Sequence, residues 1–205
     1  MNIGLLGFGV VGGGVWELAQ ENRALNVKKV LVRREAPSLG KAAVQDVEAI
    51  LRDTEIDTVV EVLGGLHPAY EWICRALAAG KDVVTANKAV ISAYYRELTA
   101  LAHENGAALR CTAAVGGGIP WLVNLQRCRR VDTVTEVGGI MNGTTNFIMD
   151  AMARQGADFP AVLQRAQELG YAEADPSADI DGDDIRRKLT ISANIAFDAL
   201  LREED

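Results

Sequence analysis

Asn2-Ile3-Gly4-Leu5-Leu6-Gly7-Phe8-Gly9-Val10-Val11-Gly12-Gly13-Gly14-Val15-Trp16-Glu17-Leu18-Ala19 decides the fold. Residues 2–7 form a short apolar run of the kind that makes a buried strand. Residues 12–22 carry apolar positions at helical spacing, weakened by three glycines at the start. Between strand and helix lies Gly7-x-Gly9-x-x-Gly12. In that context Gly7 permits a tight turn, Gly9 lets backbone approach a pyrophosphate, and Gly12 lets the helix pack close to the strand. The helix start adds free N–H groups and partial positive charge, suited to phosphate. A glycine turn with no ligand is the plainer alternative. It leaves the stability cost of three glycines at a helix start without a reason.

The same alternation continues outward. Lys28–Val32, Thr58–Leu63, Asp82–Thr85 and Ala107–Ala113 read as strands. Between them, residues 44–52, 67–79 and 92–105 read as helices, the last opened by Ser92 as N-cap and closed by Gly106. Strands separated by helices imply βαβ units, right-handed crossovers and a parallel sheet. The predicted fold class is therefore α/β, a Rossmann-type doubly wound sheet over residues 1–120. Residues 121–205 form a second, partial α+β domain for substrate binding and catalysis. Its elements are a helix at Trp121–Cys128, a strand at Asp132–Met141, helices near 144–154 and 159–169, an acidic loop at 173–184 and a last helix near 185–202. One strand cannot make an independent sheet. The domain is thus expected to be incomplete or to be completed by a second chain.

Composition excludes several classes. Of 205 residues, 49% are hydrophobic and 24% charged, which fits a globular chain and not a disordered one. The 28 acidic against 21 basic residues give a net charge of −7, with no general attraction for nucleic acid or an anionic membrane. No apolar run is long enough to span a bilayer, and Met1 leads straight into the first strand without a basic-apolar leader. Cys74, Cys111 and Cys128 offer neither a disulfide framework nor zinc-ligand spacing, so a reducing, cytoplasmic location is expected. His67 and His103 fall on predicted helices and receive no catalytic role.

Three further segments carry chemistry. Val32-Arg33-Arg34-Glu35 follows the second strand, where an NAD domain usually places an acid against the ribose. The guanidinium groups of Arg33 and Arg34 suit a 2′-phosphate, so the reading leans to NADP; with Glu35 on the ribose, NAD remains open. Thr85-Ala86-Asn87-Lys88 runs off the fourth strand toward the ligand end of such a sheet. Asn87 can hold that turn through its own backbone. Glu173, Asp175, Asp179, Asp181, Asp183 and Asp184 crowd one loop, and Lys188 lies one helical turn beyond Asp184. Acids can hold an ammonium group while an amine handles a proton. The plain alternative is a solvated loop with an exposed ion pair. A calcium loop is excluded, because Gly182 comes too early and Thr190 stands where a bidentate glutamate belongs.

At these residues the chain resembles homoserine dehydrogenase. The likeness runs from residue 3 to about 197. It covers the glycine loop, DVVTANKA, AVGGGIP, GGIMNGTTNFI and the pattern from Ala166 to Lys188. The resemblance implies NAD(P)-dependent interconversion of L-homoserine and L-aspartate 4-semialdehyde, in threonine and methionine biosynthesis. Residue by residue, it implies Lys188 and Lys88 as catalytic lysines and Glu173, Asp184, Asp179 and Gly170 as substrate-binding positions. It implies Gly7, Phe8, Gly9, Val10, Val11, Gly12, Gly64 and Lys88 against the cofactor, with Arg33 and Arg34 at its 2′-phosphate. The family's sodium contacts correspond to backbone at Val115, Gly117 and Ile119, but Thr112 stands where a glutamate is usual. The family normally continues beyond the position of Asp205 with further strands, a helix and sometimes a regulatory domain. On that comparison no threonine feedback through such a domain is expected, and a homodimer or higher homo-oligomer is expected to cover the apolar surface. A non-catalytic NADP-binding protein and an oxidoreductase of another small amino-acid aldehyde are the rival readings.

Overall fold

A computed structural model describes residues 1–172 and 174–205. The chain divides into two compact units, Met1–Asn124 and Leu125–Asp205.

The first unit is built on six strands: β1 (Asn2–Leu6), β2 (Asn26–Leu31), β3 (Ala43–Val44), β4 (Thr58–Glu61), β5 (Asp82–Thr85) and β6 (Leu109–Arg110). Every pair is parallel, and the order across the sheet is β3-β2-β1-β4-β5-β6. Parallel strands need crossovers, and the helices that supply them cover both faces. This is why β1 and β4 are buried almost throughout and read as continuous runs. Helices α1 (Val10–Glu21), α2 (Glu48–Leu51), α3 (Ala69–Ala78) and α4 (Lys88–Glu104) make the connections. Leu5, Val30, Val59 and Val83, one from each of four central strands, are fully buried. The chain leaves β1 toward β2 on one side and returns to β4 on the other, so the strand order reverses at β1. At the carboxyl edge Leu31, Leu6, Glu61 and Thr85 stand side by side in register. A crevice beyond that reversal is where such sheets receive ligands.

The second unit is helical among the described residues. The last turn of α5 (Trp121–Cys128) enters it. It continues with α6 (Gly143–Gln155), α7 (Phe159–Glu168), α8 (Ser177–Ile180) and α9 (Asp183–Phe197). Ile148 and Ala151 of α6 pack with Val162 and Ala166 of α7, and Ala172 closes that cluster. Residues 190–196 of α9 are buried all round, an all-apolar-and-small pattern broken only by Thr190, Ser192 and Asn194. Asn194 bonds both the N–H and the carbonyl of Leu201, which fixes the tail after α9. No helix among the described residues is long and apolar enough to cross a membrane.

Three expectations change. The strand expected at 132–141 is absent: residues 133–142 run without a regular element, with Val131 and Ile140 more than four-fifths exposed. A strand exists only against a neighbour, and no described residue of the second unit offers one. Helix α4 starts at Lys88, capped by Asn87, and not at Ser92, which lies buried inside it. Ser92 Oγ instead donates to the Ala89 carbonyl at 3.3 Å inside the helix, two residues before a kink at Tyr94. The fifth predicted strand shrinks to Leu109–Arg110, because a 3₁₀ turn at Thr112–Ala114 follows at once.

Candidate active site

In the first unit the glycine loop lies where the sequence puts it. Gly7 ends β1 with φ +105°, and a Cβ there would press on Val62 and Leu63 of the β4–α3 loop. A Cβ on Gly12 would sit 2.2 Å from the Gly7 carbonyl oxygen. A Cβ on Gly9 would meet nothing within 4 Å. Two glycines thus serve the protein's own packing, while Gly9 faces open space. Gly9 is the N-cap of α1 and brings no side-chain acceptor to its first N–H groups. Val10 and Val11 are exposed beside it and Phe8 is half-buried. Helix α1 therefore presents donors and partial positive charge at a bare surface.

Arg33 and Arg34 are exposed just beyond β2, and Gly64 is exposed with φ +76° just beyond β4. Lys88 is half-buried as the first residue of α4. Its place is set by Asn87, whose Oδ1 accepts the Val90 N–H at 3.2 Å and whose Nδ2 donates to the Gly65 carbonyl at 2.7 Å. The Asn87 N–H in turn donates to Thr85 Oγ1 at 2.9 Å. Val115 is buried, and Gly117 (φ +57°) and Ile119 are exposed in a glycine turn that the Ile119 N–H closes on the Gly116 carbonyl at 3.0 Å. Thr112, Val115, Gly117 and Ile119 bring no carboxylate to that turn. Among the described residues of that turn none neutralises a cation's charge.

The second unit gathers the acids and the lysine. Lys188 and Asp184 share one face of α9 and pair at 2.7 Å, with side chains 18% and 5% exposed. Lys188 Nζ also donates to the Met141 carbonyl at 2.6 Å. Asn142 caps α6 through Oδ1, which accepts the Thr145 N–H at 2.8 Å. Its Nδ2 donates to Asp179 Oδ1 at 2.7 Å and to Asp184 Oδ2 at 2.9 Å. Thr144 Oγ1 lies 2.8 Å from Asp179 Oδ2 and 2.6 Å from the Tyr171 carbonyl. One amide side chain thus joins two acids, and one of those acids holds the lysine. This is a built cluster and not a solvated loop. Tyr171 stacks on Phe147 of α6 with centroids 4.7 Å apart, which pins the end of the α7 connection. Gly170 takes φ +78° as the residue after the α7 C-cap, with the N–H groups of Gly170 and Tyr171 closing on Gln167 and Ala166. A left-handed helix stop accounts for that glycine on structural grounds. The neighbouring Asp175 carboxyl is lowered from its ordinary value by the Ser177 hydroxyl and then the Ser177 N–H, at the start of α8. Glu173 lies outside the described residues.

Glu61, Asn142 and Thr144 carry no role in the sequence reading. Asn142 was legible as an asparagine at a helix start with Thr145 three residues on. Glu61 was legible as an acid closing an otherwise buried strand.

Two family models divide the chain between them. Residues 7–112 match the NAD binding domain of homoserine dehydrogenase, and residues 120–205 match the homoserine dehydrogenase domain itself. The chain belongs to the homoserine dehydrogenase family. It is 43% identical over 217 aligned residues to a homoserine dehydrogenase of Synechocystis, covering all of this chain and 50% of the relative. The Bacillus subtilis enzyme is 38% identical, with 51% of its length covered. Among solved structures, the homoserine dehydrogenase of Thiobacillus denitrificans superposes with a TM-score of 0.93 at 40% identity, over all of this chain and 50% of that one. A hyperthermophilic archaeal homoserine dehydrogenase in complex with NADPH gives a TM-score of 0.79 at 28% identity, over 95% of this chain and 69% of that one. The chain spans about half the length of the curated relatives it matches.

Proposed function

We propose that the chain carries the cofactor-binding and proton-handling parts of a homoserine dehydrogenase, which interconverts L-homoserine and L-aspartate 4-semialdehyde. The observation that carries this reading is the Asn142-centred cluster, which fixes an amine between a buried carboxylate and a backbone carbonyl. A nicotinamide dinucleotide held at the start of α1 would supply the hydride chemistry at the substrate's terminal carbon. The bare start of α1 takes its pyrophosphate, with Gly9 giving the close approach. Lys188 exchanges the proton of the substrate's terminal oxygen. In the oxidation of homoserine the neutral amine takes the hydroxyl proton as the hydride departs and becomes the ammonium that pairs with Asp184; in the reverse direction that ammonium returns the proton to the oxygen. Asp184 and Asn142 hold Nζ in place for both directions. Asp179, Glu173 and Asp184 supply acceptors for the substrate's α-ammonium, and Lys88, at the carboxyl edge of the sheet, is the second lysine of the reaction.

The Arg33–Arg34 pair selects the 2′-phosphate, making NADP the preferred dinucleotide. Replacing both with alanine is expected to weaken NADPH by about a hundredfold or more while leaving NADH nearly unchanged, since each charge-assisted contact is worth roughly 1.5–3 kcal/mol. Parallel fluorescence titrations with the two cofactors check this. Equal effects on both would remove the pair from the phosphate.

The location that fits this biosynthetic role is the cytoplasm. The segment 133–140, mostly exposed and without a regular element, suits a homodimer that adds a neighbouring strand. The test of function follows nicotinamide absorbance with homoserine and either cofactor. Turnover supports the reading. NADPH binding without turnover would favour a dinucleotide-binding protein instead.

A further inference from the structure

We propose that Glu61 is a positioning residue, which locks the Gly64–Gly65 turn and the start of α4 into one arrangement at the carboxyl edge of the sheet. Glu61 is the last residue of β4 and is fully buried. A carboxylate in that position is costly, because burial strips its hydration. Of the two strand ends beside it, Leu6 is apolar and Thr85 carries a neutral hydroxyl, so no charge in the sheet calls for an acid there. What the acid does is shown by its partners. Oε1 accepts the Leu63 N–H at 2.8 Å, the first step of the β4–α3 loop. Oε2 accepts the Thr85 hydroxyl at 2.6 Å, at the end of β5. Asn87 Nδ2 reaches Oε1 at 3.4 Å and the Gly65 carbonyl at 2.7 Å. One side chain thus ties together two loops that leave adjacent strands. One loop carries Gly64, and the other ends at Lys88. All three partners are neutral, so nothing here reads as an ion pair kept for its charge alone. The arrangement gains a fixed spacing between a turn and a helix start, both at the edge where the sheet receives a ligand.

The consequence for the cofactor rests on the function proposed above; the positioning itself does not. Glu61→Gln keeps one acceptor and the volume but turns an N–H₂ toward its neighbours. Amide hydrogen exchange and NADPH titration are read together on the full chain. The expected result is that the Leu63 and Val90 amides exchange about tenfold faster, that amides of β1 and α9 are unchanged, and that NADPH binds about tenfold more weakly. Thr85→Val, which removes the hydroxyl that donates to Glu61 and accepts the Asn87 N–H, serves as a second variant; its readout is the Leu63 amide, which bonds Glu61 and not Thr85, and that amide is expected to exchange faster. It alone decides if Glu61→Gln fails to fold. Uniform loss of protection across the unit, or no local change in Thr85→Val, would overturn the positioning role. Wild-type protein that fails to bind NADPH would sink the cofactor reading, while the exchange pattern would still decide for or against Glu61.

Discussion

Lys188→Ala is expected to lower homoserine turnover by roughly 10²–10⁴-fold, the usual weight of a positioned proton-transfer group. NADPH affinity is expected to stay at the wild-type level, because the residues proposed for the pyrophosphate and ribose all lie in the first unit. The substitution has a second effect that must be separated from the first. Asp184 is almost wholly buried and pairs with Lys188 at 2.7 Å. Removing one partner of a buried pair leaves an uncompensated charge and typically costs about 3–5 kcal/mol. The single variant is therefore expected to be less stable as well as inactive. In the double variant Asp184→Asn with Lys188→Met, both charges are gone, and much of that stability is expected to return while turnover does not. Denaturation midpoints and steady-state rates on both proteins separate the two effects. A single variant turning over at the full rate would remove Lys188 from the chemistry.

The glycine loop predicts a contrast between two neighbours of the same residue type. Gly12→Ala places a methyl 2.2 Å from the Gly7 carbonyl oxygen, an approach that backbone can relieve only by moving the turn. Overpacking of this kind costs about 1–3 kcal/mol, and here it displaces the loop that receives the pyrophosphate. Both stability and NADPH binding are expected to fall. Gly9→Ala meets no protein atom within 4 Å, and its φ of −86° suits alanine. Its midpoint is expected to match wild type while NADPH binding is lost, because the methyl fills the approach path of the ligand. Thermal melts paired with cofactor titrations check this. Gly9→Ala binding NADPH as wild type does would place the pyrophosphate elsewhere.

The first unit was legible because each of its signals is local. A glycine turn between an apolar run and a helical pattern states its own geometry, and Leu5 or Val59 need only be buried. Helix starts were harder. Ser92 and Asn87 are both good caps by type, and only the Thr85 and Gly65 contacts of Asn87 decide between them. The acidic cluster was legible as composition but not as architecture. That Asp179 and Asp184 meet on Asn142 depends on contacts across 37 and 42 residues of chain, which no spacing rule carries. The segment 132–141 failed for the opposite reason: its strand propensity is present, but the partner that would realise it is not among the described residues.

Asn142 does two jobs with one amide group, stopping the fraying of α6 at one oxygen and steering two carboxylates with one nitrogen. Heat that unwinds the first turn of that helix would therefore scatter the acids in the same event. Thermal inactivation should then precede bulk melting and share its onset with the loss of α6 alone.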